Sequence, residues 1–491
     1  MSEVKDTQQH PKIEIAVKNF GPIAEANIDL RPLTVFVGPS NTGKTYFATL
    51  VYALHGAFNG FSGFGLLAPF GLGAAIEIIG DLRRDLLEDS SLPKEEVQDV
   101  LEKLHTSEKP FRLLDLPNKM QSQLKNLIKD SEVFENGLQD EFKNCYDLDS
   151  ISMLVRLAER QHNKMEIFLK VSEENQEHWN IRMKVSESNI TIDRWANREM
   201  VIFPKGIKIS STGSFEFTIM PSYTDERGWV EKNRYYLPAA RSGIMQSHRI
   251  ISSSLVKRTT RVGLERFPEV PTMSGAIADF MERIILYEED KTYSDEMKHL
   301  AETLESDVLA GQILLKPLPS GYPDFYYRPR GIEEDIRLSQ ASSMVSELAP
   351  LVLFLRGGVK PGDTLIIEEP EAHLHPGAQA DMAVILARLV RAGVKVIITT
   401  HSDWLLQEVG NLVLEGLLED ETDEPASWLL PEEVGVWHFQ KDEPVKEIPF
   451  KSRVGLSPED YEDVAEGLYN RSVNLQQRFE KKKGEDERES S

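Results

Sequence analysis

Cysteine is almost absent from this chain, because Cys145 is the only one among 491 residues. A single thiol cannot form an intramolecular disulfide, and it excludes zinc sites built on several cysteines. Such sparing use of cysteine is typical of proteins that work in a reducing cytosol. The segment from Met1 to Pro11 is polar and lacks the apolar core of a secretory signal. We therefore expect a cytoplasmic protein.

Positive charge is also scarce, with 56 Lys and Arg against 80 Asp and Glu and a formal net charge of −24. This balance argues against a broad electrostatic footprint on nucleic acid, since phosphate contacts need clustered basic side chains. A local cluster of Arg249, Lys257, Arg258 and Arg261 keeps nucleic-acid binding open, although a solvated helix face is the simpler interpretation. The length suffices for two or three folding units with sizeable cores.

Charged residues are missing altogether between Tyr46 and Ile76. A membrane-spanning helix needs ~20 mainly apolar residues in unbroken helix. Here the stretch from Ala57 to Phe70 is interrupted by glycine, asparagine and proline. We therefore expect an apolar docking loop and no stable membrane span.

A glycine-rich motif lies between an apolar strand over Leu33–Val37 and a helix-capable run over Tyr46–Leu54. In this strand–loop–helix setting the pattern G-x-x-x-x-G-K-[ST] is typical of a phosphate-binding loop. Backbone N–H groups and the helix N-terminus form a cradle for phosphate oxygens. The lysine can reach the β- and γ-phosphates, and the last threonine can complete a Mg²⁺ shell. We expect a nucleoside triphosphate to be bound by Gly38, Pro39, Ser40, Asn41, Thr42, Gly43, Lys44 and Thr45.

Two further apolar strands end in residues suited to the same chemistry. Thr364–Ile367 runs into Glu368-Glu369-Pro370-Glu371, and Val394–Ile398 runs into Thr399-Thr400-His401-Ser402. One carboxylate can hold Mg²⁺ through water while the other orients an attacking water. An imidazole at a strand end can hydrogen-bond a γ-phosphate oxygen.

Together the segments GPSNTGKT, LIIEEPEAHLHP and VIITTHS resemble the ABC-type ATPase heads of the RecF, SMC and OLD group. The resemblance covers about Lys12 to Gly56 and Asp335 to Asn411. It implies an α/β P-loop NTPase fold of ABC-ATPase type, with ATP and Mg²⁺ as cofactors. Glu368 matches the metal-site acid, which is usually Asp in that group; Glu369 matches the catalytic carboxylate and His401 the switch histidine.

The same resemblance implies a signature motif that caps ATP bound in the other subunit. Ser342 and Ser343 match its serines, although Met344 stands where glycine is usual, and a plain helix N-cap is the alternative. Tyr235–Arg241 resembles a strand-plus-arginine element of the group. Arg241 could contact the nucleotide through its planar fork or form a structural salt bridge. Gln246 could serve as a metal-sensing glutamine.

His373 and His375 fall where the group has a loop that touches the opposite subunit. Their His-x-His spacing also suggests a metal site. Two residues apart at a helix start, however, side chains do not share a face. A catalytic zinc site would also need three ligands, so we do not expect these histidines to bind metal.

The spacing of the motifs predicts that a large insertion splits the ATPase head. We expect head residues at 12–56 and 235–450, an insertion at 57–234, a C-terminal helical segment at 451–479 and a disordered tail at 480–491. Apolar residues at helical spacing near 97–104, 120–128 and 151–158 predict short helices. Alternation at 179–185 and 215–219 predicts an antiparallel sheet, and strands are also expected at 12–17 and 26–30.

The resemblance implies an ATPase that sandwiches ATP in a homodimer or higher oligomer and controls a separate partner or effector. Similar heads occur in bacterial anti-phage systems and in DNA maintenance, by analogy. An OLD-like nuclease is one alternative. Leu414-Glu415-Gly416 superficially resembles a first Toprim motif, but the acids at 420–424 follow no apolar strand and no later strand ends in Asp-x-Asp. The other alternative, the head of a membrane-associated ABC system, is favoured only by the apolar loop.

Overall fold

The structure is a computed structural model, and the residues that it describes form several ranges. All structural statements below concern residues 12–57, 111–112, 132–156, 165–173, 176–185, 190–197, 200–203, 218–221, 233–247, 250–251, 273–289, 295–318, 322–418, 427–450 and 456.

The strands of these residues are numbered in chain order. They are β1 (Lys12–Phe20), β2 (Ile23–Leu30), β3 (Leu33–Val37), β4 (Phe111–Arg112), β5 (Met165–Glu173), β6 (Gln176–Val185), β7 (Ile190–Asn197), β8 (Met200–Phe203), β9 (Thr218–Pro221), β10 (Arg234–Leu237), β11 (Gly311–Pro317), β12 (Pro323–Pro329), β13 (Ile336–Arg337), β14 (Thr364–Glu368), β15 (Lys395–Thr400), β16 (Val434–His438) and β17 (Lys446–Glu447).

The longer helices with defined ends are numbered in the same way. They are α1 (Lys44–Ala57), α2 (Glu132–Tyr146), α3 (Gly275–Ile285), α4 (Asp295–Thr303), α5 (Ser343–Gly357), α6 (Pro376–Arg391) and α7 (Asp403–Leu418). Shorter helical turns lie at 241–247, Ile151–Leu154, Leu304–Leu309, Leu338–Gln340 and Pro431–Glu433.

The central sheet has the strand order β10-β14-β15-β3-β16-β17. Its first five strands are parallel, and β17 pairs antiparallel with β16 at the edge. Every residue of β3, β14 and β16 is buried. Parallel strands covered on both faces are near-continuous apolar runs, which is the pattern that the sequence shows for β3 and β14.

Two hydrophobic cores lie on opposite faces of this sheet, because side chains alternate along each strand. Leu33, Val35 and Val37 of β3 belong to the core that contains residues of α5, α6 and α7. Phe36 belongs to the other core, which contains residues of α1, α2 and the strands around β1. The phosphate-loop strand is therefore held from both sides.

A second sheet is entirely antiparallel, in the order β2-β1-β5-β6-β7. Ile181, Met183 and Val185, which alternate in sequence, are buried as expected for a half-buried strand. Because β5 pairs with β1 from Lys12 to Lys18, residues of the expected insertion share a sheet with the N-terminal strand. Smaller sheets have the orders β11-β12-β13 and β4-β8-β9.

The α/β class expected from the sequence is confirmed. Both strands expected at the N-terminus, at 12–17 and 26–30, are present and are longer than expected. The prediction of a short helix near 151–158 is wrong. Residues Ile151–Leu154 form a single 3-10 turn, after which Val155 is extended and pairs with Phe20. The N–H of Arg156 donates to the carbonyl of Asn19, so hydrogen bonds to the β1–β2 turn replace those of a continuing helix.

Several expectations concern residues outside those described. They are the helices near 97–104 and 120–128, the alternation at Phe215 and Phe217, the apolar loop after Ala57, the basic cluster, most of 451–479 and the tail at 480–491. The domain boundaries at 57, 235 and 451 stay predictions. Of the helices described, none is both long and apolar enough to cross a bilayer.

Candidate active site

The strands that carry the three motifs end at one edge of the central sheet. Val37 of β3 lies opposite Thr400 of β15, and Thr399 lies opposite Glu368 of β14. Parallel strands in this register present their carboxyl ends side by side, where ligands of open α/β sheets bind. The phosphate loop, the Glu368–Glu371 turn and His401 therefore emerge next to one another.

Two glycines of the phosphate loop adopt backbone conformations that other residues rarely reach. Gly38 has a φ of 135° and Gly43 a φ of 108°. A Cβ atom on Gly38 would lie 2.2 Å from the carbonyl oxygen of Phe439, and one on Gly43 would lie 2.5 Å from Ile23 Cγ1. Both positions therefore require glycine, and the loop takes the tight path that the sequence motif predicts.

Lys44 begins α1 and is buried within the loop. Its Nζ donates to the carbonyl oxygens of Gly38 and Pro39, each at 2.7 Å. Burial lowers the pKa of Lys44 to about 8, against the opposing effect of the Glu369 and Glu371 carboxylates. The ammonium thus lies where loop carbonyls and the acids after β14 converge.

Thr45 follows on the exposed side of the same first turn. Its carbonyl accepts a hydrogen bond from Thr49 Oγ1 at 2.9 Å, one turn further along α1. Thr42 is buried and its hydroxyl donates to the Pro39 carbonyl at 2.8 Å. Ser40 and Asn41 are exposed at the outer rim of the loop, and Asn41 has a φ of 64°. Asparagine tolerates this left-handed conformation better than most residues.

Glu368 ends β14 as a buried carboxylate with a protein donor on each oxygen. Oε1 accepts from the hydroxyl of Tyr236, and Oε2 accepts from the backbone N–H of Ala239 at 2.9 Å. Burial, followed by the adjacent Glu368 charge, raises the pKa of Tyr236 well above its usual value. Tyr236 is therefore a hydrogen-bond donor at this site, a role that the sequence analysis missed.

Glu369 and His401 face each other on the open side. Glu369 Oε1 lies 3.8 Å from His401 Nε2, and the two side chains are 44% and 36% exposed. Burial, and then the charge of Lys44, lower the pKa of His401, so the imidazole is neutral near pH 7. Glu369 has a φ of 45°, a left-handed conformation that residues with a Cβ rarely adopt.

Glu371 is a second residue that the sequence analysis did not single out. Its Oε1 accepts from the Thr400 hydroxyl and from the backbone N–H of His401, each at 2.7 Å. Burial raises the pKa of Glu371. The Glu371 carboxylate thus ties the turn after β14 to the end of β15 and fixes the backbone of His401.

Arg241, for which the sequence left nucleotide contact and a structural salt bridge open, lies buried beside the acidic turn after β14. The side chain is 1% exposed, and its NH2 lies 3.0 Å from Glu347 Oε1. The guanidinium also donates to the carbonyl oxygens of Pro238, Glu347, Glu368 and Glu369. Arg241 is therefore a buried support that joins the acidic turn to α5, which is the salt-bridge alternative left open by the sequence.

The remaining predicted residues lie around helix starts. Ser342 is the N-cap of α5, with its hydroxyl accepting from the N–H of Val345 at 3.4 Å, and Ser343 is exposed in the first turn. Gln246 Nε2 lies 3.5 Å from Ser346 Oγ in the same helix. His375 caps α6 and His373 is exposed. Within the described ranges, no group of three or more His, Cys, Asp or Glu could hold a metal ion.

Replacing Arg241 by alanine should destabilise the fold by about 3–5 kcal/mol, because the buried Glu347 carboxylate would lose its partner. Urea unfolding followed by circular dichroism measures the change. The double variant R241A/E347Q should regain part of the loss, since the unpaired charge is removed. An R241A protein as stable as the unsubstituted chain would contradict the support assigned to this guanidinium.

Comparison with known proteins shows which family has this combination of motifs. A family model described as the AAA ATPase domain matches residues 12–406. No curated protein matches the chain. Similar solved structures include an SMC head from Thermotoga maritima, with 9% identity, a TM-score of 0.35 and coverage of 90% of this chain and 100% of that one.

Two further solved structures are Smc heads in complexes. One, derived from Pyrococcus furiosus, has an extended coiled coil and is bound to the C-terminal domain of ScpA. Its sequence identity is 11% and its TM-score 0.35, and the match covers 90% of this chain and 97% of that one. The other is bound to the C-winged helix domain of ScpA, with 12% identity, coverage of 89% and 97%, and a TM-score of 0.38. The family model extends from β1 into α7 and spans the phosphate loop, the acidic turn and His401. The chain belongs to the AAA ATPase domain family and is an ATPase, as its motifs predict.

Proposed function

We propose that this ATPase cleaves the γ-phosphate of ATP at the edge where β3, β14 and β15 end, with Glu369 orienting the attacking water. The observation that carries the proposal is the strand register, which sets Lys44, Glu368, Glu369 and His401 around one loop. Phosphoryl transfer requires positioning and charge stabilisation more than covalent chemistry by the protein.

Each side chain has an environment that suits its proposed role. Lys44 lies inside the loop and binds the β- and γ-phosphates as a cation. The Glu369 carboxylate is open to solvent and accepts hydrogen bonds from the water that attacks. His401 is neutral beside it and donates to a γ-phosphate oxygen. The loop residues from Gly38 to Gly43, apart from Pro39, supply backbone N–H groups to the other phosphate oxygens.

The donor set near the loop fits Mg²⁺ as the metal cofactor. Thr45 Oγ1 and Glu368 are hard oxygen donors, and Mg²⁺ is typically held by one or two such groups together with substrate phosphates. A dedicated cluster of protein ligands is therefore not required. When bound, Mg²⁺ neutralises charge that develops on the phosphates.

We further propose that two copies of the chain close over ATP, with Ser342 and Ser343 of one copy capping the γ-phosphate held by the other. The N-terminus of the 15-residue helix α5 offers backbone N–H groups and a favourable dipole to an anion. Arg241 connects this helix to the acidic turn of its own copy. The conformational change that accompanies closure over ATP would then be transmitted to a separate partner protein, in anti-phage defence or DNA maintenance.

The nuclease alternative is disfavoured by one observation. Leu414-Glu415-Gly416, which resembles a Toprim motif in sequence, lies inside α7. Nuclease chemistry of that kind needs several carboxylates that converge on metal ions, and this glutamate lies on a helix and not among the acids after β14. Incubation of the purified chain with Mg²⁺ and DNA tests the point, since cleavage would favour the nuclease.

Replacing Glu369 by glutamine should lower kcat by about 100-fold or more while ATP binding is kept, because a neutral amide orients and deprotonates water poorly. The variant should also accumulate as an ATP-bound dimer in light scattering. Phosphate release measures turnover. If E369Q keeps its activity while E368Q loses it, the two acidic roles are interchanged.

Nucleotide affinity should decrease as the pH rises above about 8. Lys44 in the free chain has a pKa of about 8, so its amine loses the positive charge over this range and ATP binding must take up a proton. We expect Kd to be constant near pH 7 and to rise up to about 10-fold per unit well above pH 8. Fluorescence titrations between neutral and alkaline pH measure it.

The matched control for this titration is K44A. This variant should bind weakly at every pH and show no step near pH 8. A pH-independent Kd in the unsubstituted chain would argue against Lys44 as the phosphate-binding cation.

Mixing S342R with E369Q protein should restore hydrolysis, because a mixed dimer has one site with Glu369 from one copy and Ser342 from the other. Random mixing gives roughly a quarter of the unsubstituted activity for a two-fold symmetric dimer. Each variant alone should be inactive. The control mixture of S342R with S342R/E369Q forms no complete site and should stay inactive; equal rates in the two mixtures would exclude a shared site.

A further inference from the structure

Tyr236 binds Glu368, one of the two groups proposed to hold the metal, and packs beside α1, the helix that carries the other. It lies on β10 beside β14, is 4% exposed, and donates its hydroxyl to Glu368 Oε1. The same hydroxyl oxygen lies 3.4 Å from Thr49 Oγ1. Each hydroxyl has one proton: Tyr236 donates its proton to Glu368 and Thr49 donates its proton to the Thr45 carbonyl, so the 3.4 Å approach is a packing contact between β10 and α1.

The ring of Tyr236 is held in place by aromatic packing. Its centroid is 5.4 Å from that of Tyr52 in α1, with the ring planes at 75°. The guanidinium of Arg234 lies over the Tyr52 ring, 3.9 Å from its centroid. Arg234 pairs with Glu141 of α2 at 2.7 Å. Edge-on packing of this kind fixes a ring and hence the direction of its hydroxyl.

Glu368 can still accept hydrogen bonds beyond those from Tyr236 and Ala239. Each carboxylate oxygen has about two acceptor positions. Tyr236 takes one on Oε1 and Ala239 takes one on Oε2, so each oxygen keeps an acceptor position for a metal-bound water. The hydroxyl therefore orients the carboxylate without occupying it fully.

We propose that Tyr236 is a positioning residue that fixes the Glu368 carboxylate relative to Thr45 and thereby sets the affinity of the nucleotide site for Mg²⁺. This inference rests on the proposed function, in which Glu368 and Thr45 hold the metal. Partners that orient metal-holding groups typically change metal affinity by 10–100-fold when removed.

The test is Y236F, which keeps the ring and removes one hydroxyl. The full chain is titrated with Mg²⁺ in the presence of an N-methylanthraniloyl derivative of AMP-PNP, and fluorescence reports nucleotide binding without turnover. We expect the Mg²⁺ concentration for half-maximal tight binding to rise about 10-fold or more. Metal-free binding of the probe should be unchanged, because Lys44 and the loop are untouched.

The matched control is Y52F, which removes a buried tyrosine hydroxyl from the same aromatic pair. That hydroxyl donates to Asp279 Oδ2 at 2.5 Å and does not contact Glu368. Y52F should therefore titrate like the unsubstituted chain. A Mg²⁺ midpoint that shifts equally in Y52F and Y236F would overturn the proposal, since the effect would then be general to the packing.

E368Q separates this proposal from the function on which it rests. If E368Q shifts the Mg²⁺ midpoint and Y236F does not, Tyr236 is not a positioning residue while the metal role of Glu368 stands. If E368Q leaves the midpoint unchanged, the metal role fails and the role of Tyr236 is overturned with it. A shift in both variants, with Y52F unaffected, supports the proposal.

Discussion

The ATPase site depends on the pairing of β3 with β15, two strands that lie near opposite ends of the chain. Only when Thr400 lies opposite Val37 do the phosphate loop and His401 share an edge, and β14 follows in register with β15. Closing a long loop between such strands costs conformational entropy, and this cost grows only as the logarithm of the loop length. The burial of apolar strands on both faces offsets that cost, so the head tolerates a large intervening segment.

Around this edge, three carboxylates of one short turn have three different surroundings. Glu368 is buried between Tyr236 and Ala239, Glu369 is open beside His401, and Glu371 is buried against Thr400 and the His401 amide. Different surroundings give chemically identical groups different roles. Arg241 stabilises the turn that carries these carboxylates, because its guanidinium donates hydrogen bonds to the carbonyl oxygens of both Glu368 and Glu369.

The sequence predicted the parts of this site that depend on local patterns. The phosphate loop follows from glycine spacing, and the positions of Glu369 and His401 follow from apolar strands that must be parallel. Tyr236, Glu371 and the carbonyl contacts of Arg241 could not be predicted, since each depends on which side chains meet across β10, β14 and β15. Likewise, the helical spacing after Ile151 was overridden by hydrogen bonds to the β1–β2 turn, which are long-range.

The left-handed backbone of Glu369 lowers the stability of the fold. Such a conformation costs roughly 1–2 kcal/mol for a residue with a Cβ, and glycine would adopt it without penalty. Here the carbonyl of Glu369 is held by Arg241 and by the N–H of Ala372, so the neighbourhood imposes the geometry whatever the side chain. A chain optimised for stability alone would carry glycine at this position.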